Sequence, residues 1–295
     1  MADWTVFSIL TWTTSYFKSH DIDSPRLTAE VLLAHSLGIK RLDLYLQYDK
    51  PLNPEELSEY KALIQRRKNR EPVAYITGQK GFYEFDFEVA PGVLIPRPDT
   101  ETLLEETLGV IDRKAHPTSW LNILELGVGS GALITSIAAA RPGEGVKRHR
   151  FFASDISKTA LGVAASNIRH HAPHAVHLFN GSWLDAVKRQ PFFDIIVSNP
   201  PYIPTGEILS LQPEVQGFEP ILALDGGNDG SDAFVRIMAA AHEVMTPSGV
   251  LLFEMGFDQK GLMTDLVKRF PCYGSCRFVK DLAGHDRVAV LEKKN

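Results

Sequence analysis

The spacing of apolar residues changes character twice along the chain. Near the start, Val6, Ile9, Leu10, Thr13, Tyr16 and Phe17 recur three and four residues apart, which gathers them on one stripe of a helix. The stretch "DSPRLTAEVLLAHSLG" predicts a second helix, opened by Ser24 as cap with Pro25 in the first turn and stopped at Gly38. "NPEELSEYKALIQRRKNR" repeats the signals with Asn53 and Pro54. It sets Glu55 and Glu56 at the positive end of the helix dipole and its arginines at the negative end. Residues 1–77 therefore read as a small helical bundle.

The period then drops to two. In "GFYEFDFEV" the residues Phe85, Phe87 and Val89 share one face, as on a half-exposed strand. "APG" reads as a turn and "VLIP" as the returning strand, so residues 78–98 are expected to form a β-hairpin linker. Over residues 99–295 short apolar runs alternate with helical stretches: "LNILEL", "RFFASD", "AVHLF", "FDIIVSN" and "GVLLFEM". That alternation predicts an α/β domain with a parallel sheet covered on both faces. "CRFVKDLAG" and "RVAVLEKK" read as an antiparallel pair closing the sheet edge.

Composition narrows the function class. A hydrophobic fraction of 44% and a charged fraction of 23% over 295 residues are those of an ordinary globular chain. The net charge of −5 argues against a protein that coats nucleic acid, since phosphate binding needs a basic surface. The densest basic run, Arg66, Arg67, Lys68 and Arg70, reads as a solvated helix end, with contact to RNA or an acidic partner as the alternative. No apolar run is long enough to span a membrane, and Met-Ala-Asp-Trp lacks the basic leader and apolar core of a signal. Cys272 and Cys276 then read as free thiols of a cytoplasmic protein. The histidines of "RHHAPHAVH" (Arg169 to His177) complement a helix C-terminus, and no metal is expected.

The chemistry concentrates at the strand ends, where ligands sit in sheets of this type. "ELGVGSGALITSIA" carries Gly127, Gly129 and Gly131, which permit a tight turn and a ligand close to the backbone before a helix N-terminus. By itself the pattern suits a nicotinamide dinucleotide as well as another adenosine cofactor. Asp155, in "SDIS", stands where a carboxylate accepts from both hydroxyls of a ribose; its competing role is a helix cap. Trp183, in "NGSWLD", is read as a wall of an adenine pocket or as a core residue.

The fourth strand runs into Asn199, Pro200, Pro201 and Tyr202. Two successive prolines remove two N–H donors and leave a loop rich in acceptors. Such a loop suits a planar N–H₂ group. The Asn199 side-chain oxygen and the Pro200 carbonyl can each accept one N–H, and Tyr202 can stack on the flat face. The nitrogen of an amide is a poor nucleophile because its lone pair is delocalised, as the rotation barrier of roughly 18–20 kcal/mol shows. Holding that nitrogen with its lone pair towards a methyl donor lowers the barrier by orientation.

With these motifs in place, the sequence resembles the HemK/PrmC protein-(glutamine) methyltransferases. The resemblance runs through "EPVAYITGQKGFYEFDFEV", "VLIPRPDTE", "ELGVGSGA", "SNPPYIP", "LALDGGNDG" and "KDLAGHDRVAV". It implies a helical N-terminal domain for substrate recognition, joined by a hairpin to a seven-stranded, Rossmann-like S-adenosylmethionine-dependent methyltransferase domain. It implies methylation of the glutamine side chain in the Gly-Gly-Gln motif of peptide chain release factors. Carried over by motif, Gly127, Val128, Gly129, Ser130, Gly131, Asp155, Trp183 and Asn199 would contact S-adenosyl-L-methionine, and Asn199, Pro200, Pro201 and Tyr202 the glutamine. The chain departs from the family at Val128, where a small polar residue is usual, and at Ser182, where an acidic one is. Arg97 is expected near the substrate loop or as part of a proline-fixed helix entry. Glu219 and Asp225 are expected to organise the loop that follows Tyr202. A nucleic-acid amine methyltransferase shares the Asn-Pro-Pro-aromatic loop but asks for a target-recognition domain and a basic surface, and neither is evident. A non-catalytic adapter for translation factors is the reading from a different class, and the intact Asn199 loop argues against it.

Overall fold

The N-terminal apolar stripe becomes α1 (Val6–Lys18), whose Val6, Ile9, Leu10, Thr13 and Phe17 are buried. The computed structural model describes residues 4–114, 120–141, 143–144 and 147–294. α2 (Pro25–Ser36) starts at the predicted proline, but Ser24 is left-handed and its side chain makes no cap bond, so Pro25 alone sets the start. After α3 (Asp43–Leu46), α4 (Pro54–Lys68) opens with a reciprocal capping box between Asn53 and Glu56. α5 (Val73–Thr77) ends at the left-handed Gly78. Leu10, Leu32, Leu33, Leu44 and Tyr60 close the core of this unit, and the Tyr60 hydroxyl donates to the Ala29 carbonyl at 3.0 Å.

The helical unit is not one stretch of chain. It takes the polypeptide up to Gln79 together with Gln212–Phe218, which contains α9 (Pro213–Phe218). This explains the basic run, which is the solvated helix end expected of it only at the exposed Arg66 and Lys68. Arg67 is buried and donates to Glu214 at 2.7 Å and to the Glu71 carbonyl at 3.1 Å. Arg66 grips Glu71 with two bonds, and Arg70 donates to the carbonyls of Asp21 and His20. Three of the four basic residues therefore fasten this unit internally.

The second unit comprises Lys80–Leu211 and Glu219–Asn295. Its hairpin differs from the one expected. β1 (Gln79–Phe82) pairs with β2 (Phe85–Glu88) around Tyr83, which is left-handed with φ of 53°. "VLIP" is not a strand. Pro96 and Pro98 leave too few donors for a ladder, and the Ile95 N–H goes to the Glu219 carboxylate at 3.1 Å. The hairpin docks on α8 (Lys158–His171) through Asn167, which bonds both the N–H and the C=O of Glu88, and through His171, whose Nε2 lies 2.9 Å from the Asp86 carbonyl oxygen.

The sheet has seven strands, as the apolar runs indicated. In chain order its strands are β3 (Asn122–Leu126), β6 (Arg150–Asp155), β7 (Val176–Asn180), β8 (Phe193–Ser198), β9 (Met245–Glu254), β10 (Tyr273–Lys280) and β11 (Asp286–Lys293). A two-residue ribbon of β4 (Gly143–Glu144) and β5 (Lys147–Arg148) stands apart from it. The spatial order is β10-β11-β9-β8-β3-β6-β7, with β11 antiparallel to both neighbours and the remaining pairs parallel. β3 pairs β6 on one side and β8 on the other, so the winding reverses there. A crevice beyond the carboxyl ends follows from that reversal. One face packs α6 (Thr100–Lys114), α7 (Ala132–Ala140) and α8; the other packs α10 (Asp232–Val244) and α11 (Lys260–Arg269).

Candidate active site

A cavity of about 270 Å³ opens where β3, β6, β7 and β8 end, and Gly127, Gly129, Asp155, Trp183, Asn199 and Pro201 help to line it. Each strand delivers one chemical group. The turn after β3 needs positive φ at Gly127 and Gly129, 75° and 53°. A side chain on Gly129 would meet no protein atom, so its bare Cα faces open space. The rest of the motif turns inward. Val128 belongs to the core, Ser130 is buried, and Gly131 opens α7 against the Ala164 backbone. Val128, Ser130 and Gly131 thus shape the turn without lining the cavity, and the unusual Val128 leaves the lining unchanged. Ser182, the second departure, does line it.

Asp155 is not the cap of α8. Ser157 holds that position, its side chain accepting from the Ala160 N–H. The Asp155 carboxylate accepts from the Gly129 N–H at 3.0 Å and the Ser157 N–H at 2.8 Å. Each oxygen keeps a further lone pair, so the fixed carboxylate still has acceptor capacity. Trp183 stands between core and cavity. It packs against the core and lines the cavity, with its ring 3.7 Å from where a Gly127 Cβ would stand.

Behind the glycine turn lies a group that the motifs did not flag. Glu125 is buried at the end of β3 and accepts from the Ile134 N–H at 3.0 Å. Burial, against the pull of that N–H and with the help of Asp155, drives its carboxyl well above the ordinary range.

At the end of β8, Asn199 donates its Nδ2 to the Thr100 hydroxyl at 3.1 Å, which leaves Oδ1 as the end available to a ligand N–H. Pro201 lines the cavity and Pro200 is buried beside it. Tyr202 stands differently from the stacking role expected of it. Its ring packs on the core, its hydroxyl donates to Glu254 Oε1 at 3.2 Å, and its carbonyl accepts from Gln259 at 2.7 Å. Burial pushes the Tyr202 hydroxyl far above the ordinary phenol range. The following "DGGNDG" explains itself by contact. A Cβ on Gly230 would stand 2.3 Å from the Tyr202 carbonyl oxygen, so only glycine fits. Asp225 ties this loop as anticipated, accepting from the Thr205 hydroxyl and the Gly227 N–H. Glu219 acts elsewhere than expected. With Arg97 and the Ile95 N–H it pins the segment leading to α6. Among the described residues no three His, Cys, Asp or Glu side chains cluster as metal ligands, and Cys272 and Cys276 are free thiols. No described helix is long and apolar enough to cross a membrane.

The chain matches the PrmC N-terminal domain over residues 8–78 and the methyltransferase small domain over residues 107–210. It is 41% identical over 285 residues to a release factor glutamine methyltransferase of Geobacter sulfurreducens, covering 97% of this chain and 95% of that one. The chain belongs to the release factor glutamine methyltransferase family. A second member, from Rhodopirellula baltica, is 35% identical over 291 residues, with 98% of this chain and 97% of the relative covered. A methyltransferase from Pyrococcus furiosus shares the fold, with a TM-score of 0.50 at 20% identity over 81% of this chain and 99% of that one. Membership in the family makes the protein a methyltransferase with S-adenosylmethionine as methyl donor. The cavity fits that cofactor: a bare glycine turn for close approach, a fixed carboxylate for a ribose diol, and an aromatic wall.

Proposed function

We infer that this protein methylates the side-chain amide nitrogen of the glutamine in the Gly-Gly-Gln loop of peptide chain release factors, and that nucleic acid is not its substrate. The observation that carries this reading is the Asn199 amide. Its Nδ2 is committed to Thr100 at 3.1 Å, so its oxygen is the end presented at a cavity shared with the glycine turn. An acceptor held there selects an N–H₂ group. The rigid proline pair holds it in place without offering a competing donor.

S-adenosylmethionine, when bound, supplies an electrophilic methyl group. The protein's share is positioning. Asp155 and the backbone of Gly127 and Gly129 hold the nucleoside, Trp183 walls the base, and Asn199 Oδ1 with the Pro200 carbonyl turns the amide nitrogen towards the donor. No strong general base is needed, because a methylated amide nitrogen is acidic enough to release its proton to water. The overall acidity of the chain, net −5, speaks against a nucleic-acid substrate. A glutamine in a short loop offers little to choose it by, and we assign the additional selectivity to the helical unit. There Trp12 stacks on Tyr16 at 5.0 Å between ring centroids, and Trp4, Phe7 and Trp12 are exposed.

The test is incubation with labelled S-adenosylmethionine, offering release factor, DNA and RNA in parallel and mapping the product by mass spectrometry. Label is expected on the Gly-Gly-Gln glutamine alone. Label on nucleic acid, or on release factor whose glutamine is replaced by alanine, would sink the reading.

A further inference from the structure

Glu254, at the end of β9, is the one group of this network with no part so far. It is fully buried, its Oε1 accepts from the Tyr202 hydroxyl at 3.2 Å, and its Oε2 makes no hydrogen bond among the described residues. The Thr100 hydroxyl faces the same carboxyl and favours its ionised form. Thr100 in turn receives Asn199 Nδ2 at 3.1 Å. A buried carboxyl thus stands behind both ends of the Asn-Pro-Pro-Tyr loop, one contact removed from the acceptor itself.

We propose that Glu254 is a positioning residue which fixes the polarity of the Asn199 amide through Thr100 and anchors Tyr202, so that the Asn199 oxygen meets the substrate amide. The proposal rests on the methyltransferase reading above. Its logic is a count of donors and acceptors. An ionised carboxylate only accepts, so the open Oε2 lone pairs attract the single Thr100 hydrogen towards Glu254, and the Thr100 oxygen is left to accept from Asn199 Nδ2. Asn199 must then present Oδ1. A protonated Glu254 is itself a donor and releases the Thr100 hydrogen. Thr100 can now donate to Asn199, the amide can turn over, and Nδ2 then opposes the substrate N–H₂.

The surrounding charges leave this switch within reach. Burial raises Glu254 most, Thr100, Tyr202 and Arg287 oppose it, Asp99 adds to it, and the result stands at about 7. Arg287, on β11, is shared with Asp99 at 3.2 Å and Asp281 at 3.3 Å, and donates to the Met255 carbonyl. Its charge is spent on two other carboxylates, so it does not pull Glu254 down to the ordinary range.

The experiment uses the full-length enzyme with release factor and S-adenosylmethionine and follows kcat against pH for the parent, Glu254→Gln, Thr100→Ser and Thr100→Val. The parent kcat should fall as pH drops below about 7. Glu254→Gln should lose about tenfold or more in kcat and lose the acid limb, while the cofactor Kd by calorimetry stays within about twofold. Thr100→Ser should retain turnover and Thr100→Val should not. Thermal melting gives a readout free of activity. A raised folded-state value means the Glu254 contribution to stability is present at low pH and lost as pH rises through about 7. The melting temperature of Glu254→Gln relative to the parent should therefore climb across that window. A Glu254→Gln variant that keeps the parental kcat or the acid limb overturns the proposal, as does a flat difference in melting temperature. A parent that transfers no methyl to release factor overturns the functional reading instead.

Discussion

The helical unit matches its buried carboxylates with arginines; the sheet unit does so at Glu219 but not at two strand ends. In the helical unit Glu30 is nearly inaccessible, yet Tyr45, Arg26 and Arg41 outweigh the cost of burial and hold it below the ordinary range. Glu214 follows the same rule, with Arg67 and Arg70 overcoming its burial. Among the described residues Glu125 has no cation in contact, and Glu254 has only Arg287, which is shared with two other carboxylates; burial wins at both, and both are raised. A carboxylate matched by arginines holds a structure together. One buried at a strand end without such a match holds its proton more tightly than an ordinary carboxyl, because burial disfavours the charged form.

The largest effect should come from breaking a matched pair. Glu214→Ala leaves the buried Arg67 uncompensated and should cost about 3–5 kcal/mol in denaturant unfolding while leaving cofactor affinity intact. A loss under about 1 kcal/mol would show the pair to be an ordinary surface contact. Next comes the site itself. Asn199→Ala should cut kcat by a factor of about a hundred or more, the scale of one positioned polar group, with the fold and most cofactor binding retained. Near-parental turnover would remove the acceptor loop from the mechanism. Asp155→Ala should raise the Kd for S-adenosylmethionine by about 1.5–3 kcal/mol, read by calorimetry, since a charge-assisted partner is lost. Unchanged affinity would leave Asp155 as a brace for Gly129 and nothing more. The smallest effect sharpens the contrast most. Because the Glu125 value is raised in the fold, its contribution is present at acid pH and lost on going alkaline. Glu125→Gln should therefore gain in melting temperature relative to the parent as pH rises, whereas Glu214, held low, is lost as pH falls. The same sign at both positions would erase the distinction.

What the sequence disclosed was local chemistry. The glycine turn, Asp155 and Asn-Pro-Pro-Tyr are each marked by a few adjacent residues, and the seven strands announce themselves by short apolar runs. Thr100 and Glu254 stayed hidden because their partners lie far along the chain, 99 residues from Thr100 to Asn199 and 52 from Tyr202 to Glu254. One sign was present: "LLFE" ends an apolar strand on a glutamate and "ILEL" carries one in its next-to-last place, at a depth where an acid is costly. The sequence reads the hairpin one turn late because "FDFEV" and "VLIP" each carry three large apolar residues. Only the missing proline donors separate them, and Glu219, which takes the Ile95 N–H, lies 124 residues away.

The chain enters the helical unit twice, and that sets an order of birth. Residues up to Gln79 leave the ribosome more than a hundred residues before Gln212–Phe218. Throughout that interval Arg67 is made but Glu214 is not. The first unit to be started is therefore completed only after β8 and the loop beyond it have been read. A fragment ending at Gln79 is an unfinished object rather than an isolated domain, and the remainder carries α9 without its arginines. Nascent chains stalled before Phe218 should accordingly show weaker protease protection in their first helices than chains stalled just beyond it.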